Sequence, residues 1–257
     1  MDSVLYEQHY RLEDHHWWFV GRRGLVLQEL ARHGAAGLVP ILDVGCGTGG
    51  MLRHLAQFGD AIGLDSAPEA AAGCRQREAP FIQGWATRLP FAESSIGTIT
   101  ALDVIEHVPD DAGILNEIFR VLRPGGLLLL TVPAYQFLWS QHDVLNHHQR
   151  RYRRRGIRDL VTRSGFDIEK LSYYNTFLFP AAVARKSIMR FTRKGGPASH
   201  LDDVSAPLNA ILRRILLSER SMVRRWNLPF GASLICAARR PMEASVPCEE
   251  ALVAALG

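Results

Sequence analysis

Residues 40–50, PILDVGCGTGG, constrain most tightly what this chain can fold into. A short apolar run reads as a buried strand. The glycine cluster directly after it forces a turn best made by backbone without Cβ. MLRHLAQFG then reads as a helix closed by a glycine stop. The pattern repeats along the chain. AIGLD (61–65) is a second buried strand followed by a helix over APEAAAGCRQR, and FIQG (81–84) is a third strand. IGTITALD (96–103) is a fourth, followed by the amphipathic helix DDAGILNEIFRVL, and LLLLTVP (127–133) is a fifth that Pro133 ends. Strands alternating with helices at this spacing predict βαβ units, hence a parallel sheet with helices on both faces. A helix over 156–164, a sixth strand in FDIEKLSYY and a last strand in GASLICAARR complete a seven-stranded, Rossmann-like α/β architecture. The expected organisation is an N-terminal helical cap (1–36), a sheet domain (37–174 plus 231–240), a basic helical insertion (175–230) and a tail (241–257) to which no structure is assigned.

The glycine turn also carries chemistry. Gly45, Gly47 and Gly49 follow a strand and precede a helix, where an open α/β sheet binds its cofactor. Their spacing is GxGxG, and Asp43 stands two residues before the first glycine. Dinucleotide turns place the third glycine one residue later and receive a pyrophosphate. A carboxylate at Asp43 would repel that group and would pair instead with an ammonium. Asp65, 20 residues after Gly45, ends the second strand, where an acid accepts hydrogen bonds from ribose hydroxyls. Together they point to an adenosyl amino acid rather than a dinucleotide.

DVGCGTGG resembles motif I of the class I S-adenosylmethionine-dependent methyltransferases, and GLDSA resembles their ribose-holding loop. LPFAESSIGTITALDVIEHV and LRPGGLLLLTVP are similar to the fourth- and fifth-strand regions of the group that includes the ubiquinone and menaquinone methyltransferases. The resemblance implies S-adenosyl-L-methionine as donor and S-adenosyl-L-homocysteine as product. It places Asp43, Gly45, Cys46, Gly47, Gly49, Asp65, Ser66 and Asp103 around the donor. The family has Gly-Asp-Ala before its LPF, and this chain has Gly84-Trp85-Ala86. The acid that bonds the adenine amino group is lost, which leaves the Ala86 backbone to read adenine and Trp85 to stack or line the pocket. HYRLEDHHWWFVGRR resembles a subgroup with a His-Trp-Trp-Phe block before paired arginines. In the wider family such a helix closes over the donor. That implies a bidentate pairing of Arg22 or Arg23 with the methionyl carboxylate. Tyr10, Trp17 and Trp18 either wall the acceptor pocket or pack the helix onto the sheet.

Methyl transfer from a sulfonium needs the acceptor held in line and water kept out, and a base only if the acceptor must lose a proton. His107 in ALDVIEHV is one candidate base, its intrinsic pKa lying near the operating pH. The D-x-x-E-H spacing of Asp103, Glu106 and His107 also resembles the metal-holding E-x-x-E-H of ubiquinone-pathway O-methyltransferases. The alternative favoured over either is that Glu106 and His107 orient the loop before the next helix. A divalent metal is not favoured. After the fifth strand, AYQFLWSQHDVLNHHQRRY supplies a second candidate base, His142, with Trp139 and His147 as acceptor contacts on a ligand-edge loop.

Composition narrows the setting. The 257 residues include no uninterrupted apolar stretch of membrane-spanning length. The N-terminus carries acids and histidines where a signal peptide needs a basic and then an apolar region. Both predict a cytosolic protein, as do four scattered cysteines without metal spacing. The net charge of +4 hides an asymmetry: 175–230 holds ten basic residues against three acids, so that segment is +7 and the rest −3. Its two predicted helices mix apolar and basic residues. They read as a solvated lid, a peripheral membrane contact, a cover for a bulky substrate or a homodimer contact. Nucleic acid is not favoured, since no recognisable RNA-binding motif accompanies the charge. The expected function is methyl transfer to an oxygen or nitrogen of a small aromatic or hydrophobic acceptor. A quinone-like or lipid-linked acceptor at a membrane surface is the alternative. A donor-binding subunit without catalysis is the reading from another class.

Overall fold

The computed structural model describes residues 3–192 and 204–242. Two helices, α1 (Ser3–Leu12) and α2 (Trp17–Arg32), precede the sheet. Then follow β1 (Ile41–Val44), α3 (Leu52–Leu55), β2 (Ala61–Asp65), α4 (Pro68–Gln76), β3 (Phe81–Gln83), β4 (Ile96–Leu102), α5 (Asp111–Val121) and β5 (Leu122–Pro133). The remaining elements are α6 (Gln141–Leu145), α7 (Arg154–Arg163), β6 (Asp167–Tyr174), α8 (Phe179–Thr192), α9 (Ala206–Arg225) and β7 (Ser233–Arg239). The strands form one sheet in the order β3-β2-β1-β4-β5-β7-β6. Every position of β1 and β4 is buried, as in strands with helices on both faces, and the polar members bond one another or the backbone: Thr100 to Asp43 and Thr98 to Leu38 O. Local signals start the helices: Pro68 stands in the first turn of α4, and the Asp110 side chain accepts from Gly113 N at the start of α5.

Two details depart from the expected pattern. The stretch after the glycine turn is helical only over Leu52–Leu55. Its end tightens, with Phe58 N bonding Leu55 O and the Gln57 amide capping His54 O, so the ladder stops before Gly59. The sheet is also mixed, because β7 runs antiparallel to both β5 and β6. The chain leaves β6 at Tyr174, and Ser233 at the start of β7 pairs with that same residue. After α8 and α9 the chain thus re-enters the sheet at the end it left, so β7 can only run back against β6. Most of the tail (243–257) lies outside the described residues.

Of the helices in the segment 175–230, α9 packs on α2 and touches β6, and α8 meets the turn at Gln136–Leu138. Gly21 sits against α9 so closely that a Cβ there would stand 2.6 Å from Leu216 Cγ. Around this contact Gln28 bonds the Arg220 carbonyl at 2.8 Å. Asn209 accepts from Trp17 N at 2.7 Å and donates to His15 O at 2.9 Å. The sheet order reverses between β1 and β4, and the carboxyl ends of β1, β2 and β4 open there onto a cavity of about 850 Å³.

Candidate active site

Gly45, Gly47 and Gly49 have φ values of 68°, 55° and 80°, the left-handed conformation that glycine adopts without penalty. At Gly45 a Cβ would also stand 2.5 Å from Val104. Gly45 N and Cys46 N both bond Leu64 O, which ties the turn to the end of β2. Asp65 completes the cradle: its Oδ2 accepts from Gly47 N at 3.0 Å, and its Oδ1 from Ala67 N at 3.0 Å and the Tyr6 hydroxyl at 3.2 Å. Gly45, Cys46, Gly47, Asp65, Ser66, Trp85, Ala86 and Asp103 all line the cavity, and Gly49 packs behind the turn against Cys74. Trp85 presents its ring at the rim, 69% exposed.

Asp43 lies elsewhere. It is buried behind the turn, outside the cavity lining, and accepts from Thr100 Oγ1 at 2.6 Å. Burial pushes its carboxyl up to about 7. Arg22 does line the cavity, and its guanidinium forms an ion pair with Asp103. Asp103 is held in a left-handed conformation with its Oδ1 accepting from Thr131.

The N-terminal cap contributes more than its aromatic block. Tyr6, His9 and Glu13 stand at helical spacing i, i+3 and i+7 and all line the cavity. Glu13 accepts from Thr48 Oγ1 at 2.6 Å, pairs with Arg77 at 3.3 Å, and leaves no room for a Cβ at Gly50. Sequence reasoning passed over these three; their common helical face was the available signal. Trp17 and Trp18 line the cavity, Trp18 stacked on Tyr174 with ring centroids 6.0 Å apart. Tyr10 stands outside the lining, under the Arg77 guanidinium at 4.5 Å, where it clamps α1 to α4.

A second polar wall comes from the segments after β4 and β5. Asp143 is fully buried and accepts a bidentate pair from Arg151, Nε at 2.7 Å and Nη2 at 2.9 Å. Ser140 N also donates to it, at 2.7 Å. Its Oδ1 lies 2.9 Å from His148 Nδ1. Although burial opposes ionisation, bonds from His148 and Arg151 hold Asp143 well below the usual carboxylate range. The carboxylate therefore keeps a proton on His148 Nδ1 and leaves Nε2 as the acceptor nitrogen. The His107 ring meets His148 edge to face, centroids 4.6 Å apart. Burial and that neighbour push His107 down to about 4. His142 also lines the cavity, bonded to Asn146. Trp139 and His147 fall outside the lining: Trp139 offers its carbonyl to Lys186, and exposed His147 turns the loop with φ 57°.

Glu106, His107 and His148 each offer one ligand atom within 4.8 Å of the others. Glu106 is fully buried, and neither of its oxygens has a hydrogen-bond partner among the described residues. Burial, with Asp103 nearby, raises its pKa well above the ordinary value.

The donor expected from the sequence fits these residues. A Cβ-free cradle, an acid with a spare lone pair on Oδ2 at the end of β2, a ring and small residues at 84–87, and the Glu13 and Asp103 carboxylates on the lining suit a ribose, an adenine and a cationic amino-acid tail. No pyrophosphate fits beside Glu13, Asp65 and Asp103.

Residues 42–130 match the family model of a methyltransferase domain. A protein of Mycolicibacterium smegmatis described as a probable S-adenosylmethionine-dependent methyltransferase is 31% identical over 163 residues, 62% of each chain. A demethylmenaquinone methyltransferase of Roseiflexus is 32% identical over 158 residues, 58% of this chain and 65% of the relative. The chain thus spans less than two thirds of the length of these relatives. Among solved structures, the Haloferax volcanii complex with the Trm112 methyltransferase activator contains a chain with the same fold. Its TM-score is 0.57 at 19% identity, covering 94% of this chain and 96% of that one. With its sheet order and its glycine cradle, this match makes residues 42–130 a methyltransferase domain, similar to that of the class I S-adenosylmethionine-dependent enzymes.

Proposed function

We propose that the protein transfers a methyl group from S-adenosylmethionine to an oxygen or nitrogen of a small aromatic or hydrophobic acceptor. The observation that carries this reading is the Asp143–His148 pair on the wall of the cavity that the glycine cradle also lines. When bound, the donor supplies an electrophilic methyl on a sulfonium. The acceptor must then present a lone pair in line with it, and a hydroxyl or protonated amine must give up a proton. His148 Nε2 is placed to take that proton. Asp143 fixes the tautomer and stabilises the imidazolium that results, the logic of an oriented histidine base. Neutral His107 packs against this ring and holds its plane. Trp17, Trp18, Leu138 and Leu178 supply the apolar walls that exclude water and favour a ring-bearing or aliphatic acceptor.

Calorimetry tests the donor half: both S-adenosylmethionine and S-adenosylhomocysteine bind, and no heat from either overturns it. A labelled-methyl screen over phenols, catechols and arylamines tests the acceptor half. Turnover of none of them, with donor bound, removes this acceptor class.

Unpartnered Glu106 favours a second reading, in which Glu106, His107 and His148 hold a divalent ion that gathers an acceptor oxygen. His148 and His107 would then bind as neutral imidazoles, one oriented by Asp143, as metal-ligating histidines are. Chelator-treated protein that loses turnover and regains it on adding Mg²⁺, Mn²⁺ or Zn²⁺ supports this second reading, whereas unchanged turnover leaves the Asp143–His148 base.

A further inference from the structure

We propose that the aromatic surface of Phe137, Phe177, Phe179 and Phe230, next along the chain to the cavity lining at Leu138 and Leu178, is a docking surface for an anionic lipid bilayer. The surface is independent of the transfer reading and stands or falls without it. Phe137, Phe177 and Phe230 are 49%, 50% and 43% exposed. Phe179 joins three rings into one patch, 5.4 Å from Tyr135, 6.4 Å from Phe137 and 5.8 Å from Phe230 between centroids. Clustered exposed aromatics of this kind mark contact surfaces, whereas single ones do not.

The rings are held outward by fixed backbone. Glu219, buried, accepts from Thr176 N at 3.0 Å and Phe177 N at 2.8 Å, and Thr176 Oγ1 bonds Phe230 O at 2.7 Å. Phe137 and Phe177 each precede a leucine, Leu138 and Leu178, that lines the cavity. The outer patch and the inner apolar wall are therefore neighbours along the chain, and a molecule leaving a bilayer beneath the patch would meet the cavity next.

Charge selects the occupant. Exposed Arg153 acts on the Tyr135 hydroxyl from one side. On the other, Lys186 reaches the carbonyl of Trp139, two residues from Phe137. Among the described residues of 175–230, the one acid is Glu219, and it is turned inward. A second copy would set this same patch against itself, as a two-fold contact does, and bring like charges together. An anionic membrane surface offers the opposite charge, and Phe rings favour the headgroup boundary. Among the described residues no helix is long and apolar enough to cross a membrane, so the contact proposed is peripheral.

The test is flotation of the full chain with vesicles of phosphatidylcholine alone and of equal parts phosphatidylcholine and phosphatidylglycerol. The protein should float with the anionic vesicles, be released by salt and stay behind with phosphatidylcholine. Phe137→Ser with Phe230→Ser should weaken partition more than about tenfold, from the lost apolar burial. Arg153→Glu should weaken it about fivefold or more. A melting curve checks each variant, and Arg153→Glu, at an exposed side chain, keeps the test open should the double variant unfold. Failure to float with anionic vesicles overturns the proposal, as does a double variant that is folded and floats like the parent. A parent dimer that the double variant converts to monomer in sedimentation equilibrium reassigns the patch to a second copy.

Discussion

Replacing Asp65 by Ala removes the acid that the ribose of an adenosyl donor would meet. The carboxylate already accepts from Gly47 N, Ala67 N and the Tyr6 hydroxyl, at 3.0, 3.0 and 3.2 Å, so its orientation is fixed before any ligand arrives. Two charge-assisted bonds to the vicinal hydroxyls, one at the free site of Oδ2 and one in exchange for the Tyr6 hydroxyl, are worth about 1.5–3 kcal/mol each, or ~3–6 kcal/mol together before the lost Tyr6 bond is counted. Water filling the gap returns part of this, which leaves a loss of roughly 3 kcal/mol and about two orders of magnitude in Kd. Titration calorimetry with S-adenosylhomocysteine reads it directly, since the product avoids turnover. Tyr6→Phe is the companion variant: it takes away one neutral hydroxyl and leaves the acid, so its effect should stay below about fivefold. A Kd for Asp65→Ala within fivefold of the parent, in a protein that melts normally, refutes the placement of ribose at Asp65. So does a Tyr6→Phe defect as large as that of Asp65→Ala.

Other expected outcomes follow from single contacts. Asp143→Asn keeps the shape but no longer holds a proton on His148 Nδ1, so kcat should fall about 10²–10⁴-fold with donor affinity unchanged; equal turnover in a steady-state assay excludes His148 as the base. Asp43 stays protonated in the fold up to about 7 while the unfolded chain ionises near 4, so rising pH favours unfolding across that window. Asp43→Asn removes this loss, and its melting temperature relative to the parent should climb from pH 4 to 7 and then level; a flat difference contradicts the raised pKa. Gly21→Val drives a side chain into Leu216 and should cost about 1–3 kcal/mol or more. Gly156→Ala, with nothing within 4 Å, should gain up to about 1 kcal/mol; denaturant melts showing the same sign for both would refute the close packing of α2 on α9.

The legible part of the molecule was its repetitive part. Strands β1, β2 and β4 announce themselves as short, mostly apolar runs between turns and helices, and the glycine turn announces its conformation because few other residues tolerate φ values of 68°, 55° and 80° at alternate positions. The place of Asp65 at the end of β2, beside the turn, was readable for the same reason, since its distance from the turn is set by one βα unit. Asp43 was assigned to the donor from its place beside the glycines. Strand alternation, however, sends neighbouring side chains to opposite faces, and the face that Asp43 takes points it to Thr100. His142 lies in the short helix α6 and His148 in the loop after it, and nothing in the residue order says which histidine will meet Asp143. Tyr6, His9 and Glu13 did have a period, but charged and polar residues at helical spacing are the ordinary composition of an exposed face. Only the approach of α1 to the glycine turn gives them a different meaning.

That approach also changes what the cap and the insertion are. In sequence they are separated by the whole sheet domain, yet Asn209 bonds His15 and Trp17, Gln28 bonds Arg220, and Gly21 admits Leu216 between them. The cap carries Tyr6, Glu13 and Arg22 to the donor cradle, while α8 carries Ala181, Ala182 and Lys186 to the far wall of the same cavity. Because α9 is clasped to α2, a displacement of either helix must be felt at both walls. A joint of this kind couples the two walls of the cavity: whatever orders the cap over the glycine turn also sets where α9 can lie. The glycines at 21 and 24 are the residues that let the two helices come this close, where a Cβ would meet Leu216 and Leu217. Their small size in the middle of a helix, a cost of about 1 kcal/mol each relative to Ala, is offset by the contact it permits.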